Sequence, residues 1–178
     1  GAHALAGEGD DEEAAMQRGS RIHLLLEVLP DIAKEDRADV AARLLNSDDW
    51  RDVFDEVEGV LDAPDLVEVF AEGVLVEVSV TAELDELNGA RILGRIDRLV
   101  VSPREVTAID FKSNRQIPET AADTPEAILR QMGAYRAALA QVYPDRVVKT
   151  AIIWTYRAKL MELPEKITYE ALMRATTS

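Results

Sequence analysis

The spacing of hydrophobic residues changes once along this chain, and the change limits the folds that the chain can adopt. Between Ile22 and Val57, apolar side chains recur every three or four residues, which predicts amphipathic helices. From Val74 onward, valines at 74, 76, 78 and 80 alternate with other residues, which predicts a strand with one buried face. Helices followed by strands, then by a further helix and strands, indicate an α/β (α+β) domain with a mixed central sheet flanked by helices.

The predicted helices and strands are separated by turn residues. A first helix contains Ile22, Leu25, Leu26 and Leu29 and ends at Pro30. The second helix covers Lys34–Leu45. The third has Ser47 as its N-cap and is interrupted by Pro64. Later helices are expected over residues 125–142 and 169–175. The predicted strands are Val74–Val80, Arg91–Val101, Glu105–Lys112, Val147–Tyr156 and Lys159–Leu163, with Asn88-Gly89 as a hairpin turn between the first two.

A length of 178 residues is typical of one domain. We expect residues 14–178 to form that single domain, with an extra helical segment at its start. Residues 1–13 end in the run Glu8-Gly9-Asp10-Asp11-Glu12-Glu13, and we expect them to be a disordered acidic tail or a cloning-derived end.

The chain contains no cysteine, which excludes disulfides, thiolate zinc sites, iron–sulfur clusters and cysteine nucleophiles. The two histidines are His3, which lies in the expected tail and is given no role, and His23. A metal site would therefore consist mostly of carboxylates, which suit magnesium, manganese or calcium. Because no signal peptide and no apolar run of about 20 residues is present, we expect a soluble cytoplasmic protein that is not bound to a membrane.

Charge is distributed unevenly along the chain. The net charge is −14, which by itself argues against a nucleic-acid partner. Residues 1–90 hold 24 acidic and 6 basic residues, a balance of −18, whereas residues 91–178 hold 10 acidic and 14 basic residues, a balance of +4. Such asymmetry indicates an anionic partner on one side only, although ordinary solvated surfaces would give the same pattern.

The strongest candidates for chemistry lie on the second and third predicted strands. Strand alternation places Asp110 and Lys112 on one face of the third strand, and a hairpin brings Asp97 across from Asp110. Converging carboxylates can hold a hard cation, and a neighbouring lysine can orient a water molecule for phosphodiester hydrolysis. Glu77, on the valine-rich strand, is a third candidate carboxylate.

Less specific explanations exist for each of these residues. Asp-x-Lys occurs by chance and can form surface ion pairs, but Asp97 and Asp110 lie in apolar strands, where an unpaired carboxylate is costly. His23 could simply pack at the edge of the core, with Gly19 on the same helix face leaving room for its ring. Gln131 and Tyr135 share a helix face and could be ordinary surface and core residues.

Five segments, taken in order, resemble the nuclease domain of RecB-type and AddA-type helicase–nucleases, within the PD-(D/E)xK superfamily. Gly19–Glu27 is similar to the family's G-[TS]-x-x-H-x-L-L-E helix, and Glu77-Val78 to its E-V-P strand. Gly94–Leu99 resembles G-x-I-D-R-L and Asp110–Arg115 resembles D-Y-K-T-N-R, with phenylalanine and serine replacing tyrosine and threonine. Arg130–Tyr135 is similar to the R-Q-x-x-x-Y helix, and the segments 153–156 and 160–164 look closest to AddA-type proteins.

The resemblance implies a restriction-endonuclease-like fold and roles for individual residues. It implies that a magnesium ion, replaceable by manganese or calcium in binding, is held by His23, Asp97, Asp110 and the backbone carbonyl of Phe111. It also implies that Lys112 positions or activates the attacking water. Further residues that it connects with catalysis or DNA contact are Glu77, Gln131, Tyr135 and Arg115.

The resulting expectation is a metal-dependent deoxyribonuclease domain of a larger helicase–nuclease that resects double-strand breaks for recombination. Its expected partners are single-stranded DNA and DNA ends, helicase domains of the same parent chain, and a second AddB-like subunit, in a nucleoid-associated location. ATP binding is not expected here because the sequence has no G-x-x-x-x-G-K-[ST] phosphate loop. A free-standing exonuclease or endonuclease of the same superfamily and a non-catalytic interaction module remain as alternatives.

Overall fold

A computed structural model describes residues 2–176, with side chains from residue 9 onward. Three helices come first: α1 (Ala2–Val28), α2 (Arg37–Leu45) and α3 (Trp50–Asp62). A hairpin and a third strand follow: β1 (Leu75–Leu84), β2 (Ala90–Val101) and β3 (Glu105–Lys112). The chain continues with α4 (Glu126–Val142), β4 (Val147–Trp154), β5 (Lys159–Leu163) and α5 (Glu165–Arg174).

The five strands form one mixed sheet in the order β1-β2-β3-β4-β5. Neighbouring strands are antiparallel except β3 and β4, which are parallel and are connected through α4. A parallel pair needs such a crossover, because its second strand must start at the same end of the sheet as its first. The predicted mixed α/β fold is confirmed.

Helices cover both faces of the sheet. Helices α1, α2 and α3 pack with Ile109, Phe111, Ala151 and Ile153 in one buried cluster. Helix α4, part of α5 and residues such as Ala108, Ile152 and Trp154 form a second cluster on the other face. The alternation of neighbouring strand residues between these clusters follows from the two-residue period of a strand. Both faces of β3 and β4 are therefore covered by helices, as in central strands of a sheet.

Several boundaries differ from those expected from the sequence. Helix α1 begins at Ala2, so residues 2–13, expected as a disordered tail, continue the helix that carries His23. Alanines supply the helix propensity in this segment despite two glycines and its acidic residues. Strand β1 extends to Leu84 rather than Val80, β4 ends at Trp154 rather than Tyr156, and α5 begins at Glu165 rather than Tyr169.

Ser47 is not the N-cap that we expected. The cap position of α3 is Asp49, and its side chain makes no capping hydrogen bond. The Ser47 hydroxyl donates instead to Asp49 Oδ1 at 2.7 Å and accepts from the Arg21 guanidinium at 3.1 Å. Arg21 also pairs with both carboxylate oxygens of Asp49, so this cluster joins α1 to the start of α3.

The expected hairpin is present, but its connection is the five-residue loop 85–89, which Asn88-Gly89 ends. Both residues have positive φ values, 57° and 82°. The backbone N–H of Gly89 donates to Leu84 O at 2.8 Å, and Leu84 pairs with Ala90 at the start of the ladder. None of the helices within residues 2–176 is both long and apolar enough to cross a membrane.

Candidate active site

The ladder between β2 and β3 ends one residue pair before Asp97 and Asp110 would face each other. Its last pair toward this end is Arg98 with Ile109. Beyond it, the backbone N–H of Phe111 donates to Asp97 Oδ2 at 2.8 Å in place of a backbone acceptor. The Asp97 carboxylate therefore takes over a sheet hydrogen bond, and this fixes it beside the end of β3.

The pairing between β1 and β2 is also interrupted next to Asp97. Val76 pairs with Arg98 and Val78 pairs with Ile96, but the intervening Glu77 has a left-handed backbone, with a φ of 53°. Such a backbone is unfavourable for a residue with a Cβ and is concentrated at functional sites. The sequence pattern predicted an ordinary strand here.

The side chains of β2 change faces at this interruption. Ile96 and Leu99, three residues apart, both pack in the α4 cluster, which strict alternation would forbid. Between them, Arg98 turns to the opposite face, where its guanidinium donates to Leu26 O of α1 at 3.2 Å and lies 5.0 Å from the centre of the Phe70 ring. Asp97 thus lies where the alternation of β2 side chains between the two faces of the sheet is broken.

His23 reaches this point from α1. Its Nε2 donates to the carbonyl oxygen of Phe111 at 3.0 Å, and its Nδ1 lies 3.5 Å from Asp97 Oδ1. Gly19, one turn earlier, has a different role from the one that we expected. A Cβ there would lie 2.9 Å from Ser113 Oγ, so the glycine allows α1 to approach the loop that follows β3.

Asp110 and Lys112 lie on the same face of β3 as predicted, toward α4. Lys112 Nζ is 2.9 Å from Asp110 Oδ2 and donates to Gln131 Oε1 at 3.3 Å. Gln131 in turn donates to the Tyr135 hydroxyl at 3.1 Å. Two residues of α4 therefore continue the polar contacts that begin at the β3 carboxylate.

Tyr135 closes this chain of contacts onto β2. Its hydroxyl donates to Arg95 O at 3.2 Å, and its ring lies directly over Gly94, where a Cβ would overlap it. The structure thus places Gln131 and Tyr135 next to Lys112, and the glycine in the motif Gly94–Leu99 has a steric explanation.

The two aspartates have opposite pKa shifts because they share one buried site. Burial raises the pKa of Asp110, the neighbouring Asp97 raises it further, and Lys112 only partly offsets this, which leaves it at about 7. Burial also raises the pKa of Asp97, but hydrogen bonds from His23, from the protonated Asp110 and from the Phe111 N–H outweigh burial and lower it. The pair therefore favours a single negative charge.

His23 and Glu77 respond to the same cluster. Burial lowers the pKa of His23, but Asp97 and then Asp110 raise it more strongly. Burial raises the pKa of Glu77, and Asp97 adds to this, against the lowering effect of Arg95. The site as a whole has an excess of acid groups that one cation would relieve.

The donors fit a hard divalent cation. Asp110 Oδ2 is buried and has no aligned hydrogen-bond donor, because Lys112 Nζ approaches it at ion-pair distance but outside hydrogen-bond geometry. Two carboxylates, an imidazole and the Phe111 carbonyl form a set that magnesium or manganese accepts. Within the part of the chain that the structure describes, no group of three or more His, Asp or Glu side chains is positioned to hold a metal ion, and His23 Nε2 would have to give up its hydrogen bond to the Phe111 carbonyl to bind one.

The candidate site opens into a cavity of about 530 Å³ beside α1. His23, Asp97, Glu77 and Arg95 line it, and Arg95 Nε lies 2.7 Å from Glu77 Oε2. Glu77 is therefore brought to the site through Arg95, a residue that the sequence analysis did not single out. Its only signal was its place in the motif between Gly94 and Asp97.

Arg115 lies apart from the carboxylates. Its guanidinium is 5.5 Å from the centre of the Tyr156 ring, next to a larger cavity of about 900 Å³. The sequence analysis also missed Arg98, which joins β2 to α1, and the buried Glu56, whose carboxylate pairs with Arg18 at 2.8 Å. Both are long-range contacts without a local sequence signal.

Among the solved structures with a related fold is the crystal structure of a "Putative exonuclease" from Eubacterium rectale, with a TM-score of 0.50 and 10% sequence identity. The match covers 86% of this chain and 64% of that one, so this chain spans about two thirds of the neighbour's length. At this identity the likeness concerns the fold. No curated protein matches the chain.

The sequence model of the PD-(D/E)XK nuclease superfamily matches residues 2–175, nearly the whole chain. The match includes every candidate site residue described above. It agrees with a mixed sheet on which Asp97, Asp110 and Lys112 meet at the end of two strands. The chain therefore belongs to the PD-(D/E)XK nuclease superfamily.

Proposed function

We propose that this chain is a divalent-metal-dependent deoxyribonuclease domain that hydrolyses phosphodiester bonds of DNA. The observation that carries the proposal is the convergence of Asp97, Asp110 and Lys112 at the end of the β2–β3 ladder. Among them, Asp110 is a buried carboxyl group with a raised pKa beside an ammonium group, and such groups cluster at functional sites.

His23, Asp97, Asp110 and the Phe111 carbonyl would hold the metal ion. When bound, a divalent ion lowers the pKa of water and stabilises negative charge on a phosphate oxygen. The protein prepares for it in two ways. The Phe111 N–H and His23 orient Asp97, and burial keeps the unpaired Asp110 oxygen out of bulk water. Loss of the Asp110 proton, with a pKa of about 7, would precede binding of the cation.

Lys112 would orient the attacking water and stabilise charge that develops on the phosphate. Gln131 restrains its ammonium group from one side, while Asp110 attracts it from the other. Because Tyr135 fixes Gln131 and is itself bonded to β2, the lysine is held by a chain of contacts between two elements. Such preorganised charge is the larger part of what an enzyme supplies to phosphoryl transfer.

The wider context is part of the same proposal. We infer an AddA-type helicase–nuclease that acts in double-strand-break repair, with motor domains in the same parent chain and an AddB-like subunit as partner. The charge distribution supports this, because a chain of net charge −14 binds DNA weakly alone and would depend on other domains for affinity. The motifs in Gly19–Glu27 and Arg130–Tyr135 are the sequence support.

The test is cleavage of end-labelled linear single-stranded DNA with magnesium or manganese. The wild type should cleave, and EDTA or the substitution Asp110→Ala should abolish cleavage. Asp145→Ala, at an exposed aspartate in the turn before β4, is the matched control and should cleave like the wild type. Equal cleavage by Asp110→Ala and the wild type would overturn the assignment of the site.

A further inference from the structure

A groove extends from the candidate active site along α1. The cavity lined by His23 and Asp97 shares Met16 and Gly19 with the 900 Å³ cavity formed against residues 113–116. That cavity shares Arg18 and Arg115 with a third, of about 550 Å³, which Tyr156 lines. The three cavities are therefore neighbours, in a series that starts at the carboxylates and ends at an aromatic ring.

Two cations accompany the aromatic ring at the end of this series. The guanidinium carbons of Arg157 and Arg115 lie 4.5 and 5.5 Å from the centre of the Tyr156 ring. Both arginines are exposed, and within residues 9–176 neither forms a salt bridge. Two arginines outside any such salt bridge therefore lie beside one tyrosine, in a protein of net charge −14.

The position of this ring relative to Lys112 is fixed by the sheet. Lys112 and Trp154 are paired on the parallel strands β3 and β4, and Tyr156 follows Trp154 by two residues. The intervening Thr155 is buried, with its hydroxyl 2.7 Å from Glu56 Oε2 and 3.3 Å from Lys112 O. The segment that presents Tyr156 is therefore anchored to the strand end that carries the lysine.

We propose that Tyr156 stacks an unpaired base of single-stranded DNA, which takes the place of one of the two guanidinium groups over its ring, while Arg115 and Arg157 contact the adjoining phosphates. This proposal rests on the proposed nuclease function and adds to it a binding site for one base of the strand, at the end of the groove along α1. Aromatic rings beside basic side chains bind single strands in this way, because every base offers a flat face and every nucleotide a phosphate. A base within a duplex is already stacked and cannot use the ring.

Acidic residues limit the path of the strand. The Tyr156 cavity is also lined by Asp49, Asp52, Asp55 and Glu56, on or next to α3. Phosphates would be repelled from that wall and drawn toward the opposite side, where Arg115 lies with Asn114 and Gln116. The base, which is uncharged, is then the part of the nucleotide that faces Tyr156.

The test separates stacking from charge with two fluorescent probes, an oligothymidylate and a matched strand of abasic sites. Binding is measured in low salt with calcium. Tyr156→Ala should weaken oligothymidylate binding about five-fold or more, the effect of losing one stacked base, and leave abasic binding unchanged. Tyr156→Phe retains the ring and should bind like the wild type. Arg157→Ala should weaken both probes and reduce the salt dependence.

Matched controls exist elsewhere in the chain. Tyr169 on α5 is an exposed tyrosine away from the groove, and Arg146 lies over the Tyr143 ring at the other end of β4. Tyr169→Ala and Arg146→Ala should leave binding of both probes unchanged. Thermal melting of each variant establishes that it is folded.

The outcomes distinguish this proposal from the nuclease function. If Tyr156→Ala binds oligothymidylate like the wild type, or Tyr156→Phe loses as much affinity as Tyr156→Ala, the stacking site is wrong even where the wild type cleaves the strand with manganese. If the wild type binds without cleaving, the nuclease proposal fails and the Tyr156 comparison still decides the binding site. Failure of the wild type to bind the oligothymidylate overturns the stacking site, and the cleavage assay with manganese decides the nuclease proposal separately.

Discussion

The backbone N–H of Phe111 donates to Asp97 Oδ2 at 2.8 Å, so the strand that carries Asp110 holds the carboxylate opposite it. This hydrogen bond stands where a backbone pair of the ladder would otherwise form. It keeps the two carboxyl groups next to each other in a buried site. The site is thus assembled by the sheet itself, and a cation would relieve the charge that the sheet has concentrated.

Metal binding should stabilise this chain, and the effect should depend on Asp110. A ligand that binds only the folded protein raises the free energy of unfolding by mass action, by about 2.7 kcal/mol at one hundred times its dissociation constant. Thermal melting with manganese or calcium should therefore give a higher Tm than melting in EDTA. Asp110→Ala should abolish the shift and Asp145→Ala should retain it. An unchanged shift in Asp110→Ala would exclude Asp110 as a ligand.

The stability of the metal-free protein should fall as the pH rises from about 4 to 7. The folded-state pKa of Asp110 is raised from 3.8 to about 7, so its protonated form is favoured by folding. The contribution of Asp110 to stability is fully present at a pH below its unfolded-state pKa. It is lost as the pH rises through its folded-state pKa. The lowered pKa of Asp97 acts in the opposite direction, and only at more acidic pH.

Asp110→Asn isolates this contribution, since asparagine is neutral at every pH. In EDTA, the Tm of the variant relative to the wild type should rise between pH 5 and pH 8. We expect a change of about 2 to 8 °C, which corresponds to about 1–2 kcal/mol in a chain of this size. Melting curves of both proteins across that range provide the measurement. A difference that does not vary with pH would contradict the raised pKa.

The fold was largely predictable because its signals are local. The boundaries of β3 and β5 agree with the hydrophobic pattern, and Asp110 and Lys112 share a face as strand alternation requires. The long α1 was missed, because an acidic segment with glycines indicates disorder unless the helix that it continues is considered. The last turn of α4 is less buried than the apolar character of its residues indicates, because Val142 is 63% exposed while Leu139 is buried.

The candidate site was predictable in its members but not in its geometry. Motif resemblance grouped His23, Asp97, Asp110 and Lys112, which come from three elements distant in sequence. The break in the side-chain alternation of β2 at Asp97 was not predictable, because it lies beside the left-handed backbone of Glu77 on a neighbouring strand. The role of Tyr156 was also hidden, since Arg115 is 41 positions away and no periodicity connects them.

Gly94→Ala should damage both stability and catalysis through Tyr135. A methyl group at position 94 overlaps the Tyr135 ring, so the ring and its hydrogen bond to Arg95 O must move. Overpacking of this kind costs about 1–3 kcal/mol. Lys112 loses its restraint as Gln131 follows Tyr135, so kcat should fall more than KM changes. Gly59→Ala, where nothing lies within 4 Å, is the control and should melt no lower than the wild type.

Glu77→Gly should be more stable than Glu77→Ala, the reverse of the usual order in a strand. Both Glu77→Gly and Glu77→Ala remove the carboxylate that pairs with Arg95, so they differ only at the backbone. At a φ of 53°, alanine keeps the steric penalty of a Cβ, about 1–2 kcal/mol, and glycine does not. The Tm of Glu77→Gly should exceed that of Glu77→Ala by about 2–4 °C for each kcal/mol.

The same pair of substitutions at Val78, which has no positive φ, should give the opposite order, because glycine weakens an ordinary strand. If the alanine variant is the more stable at both positions, the left-handed backbone at Glu77 is wrong. The interruption of the β1–β2 pairing beside Asp97 is then wrong as well.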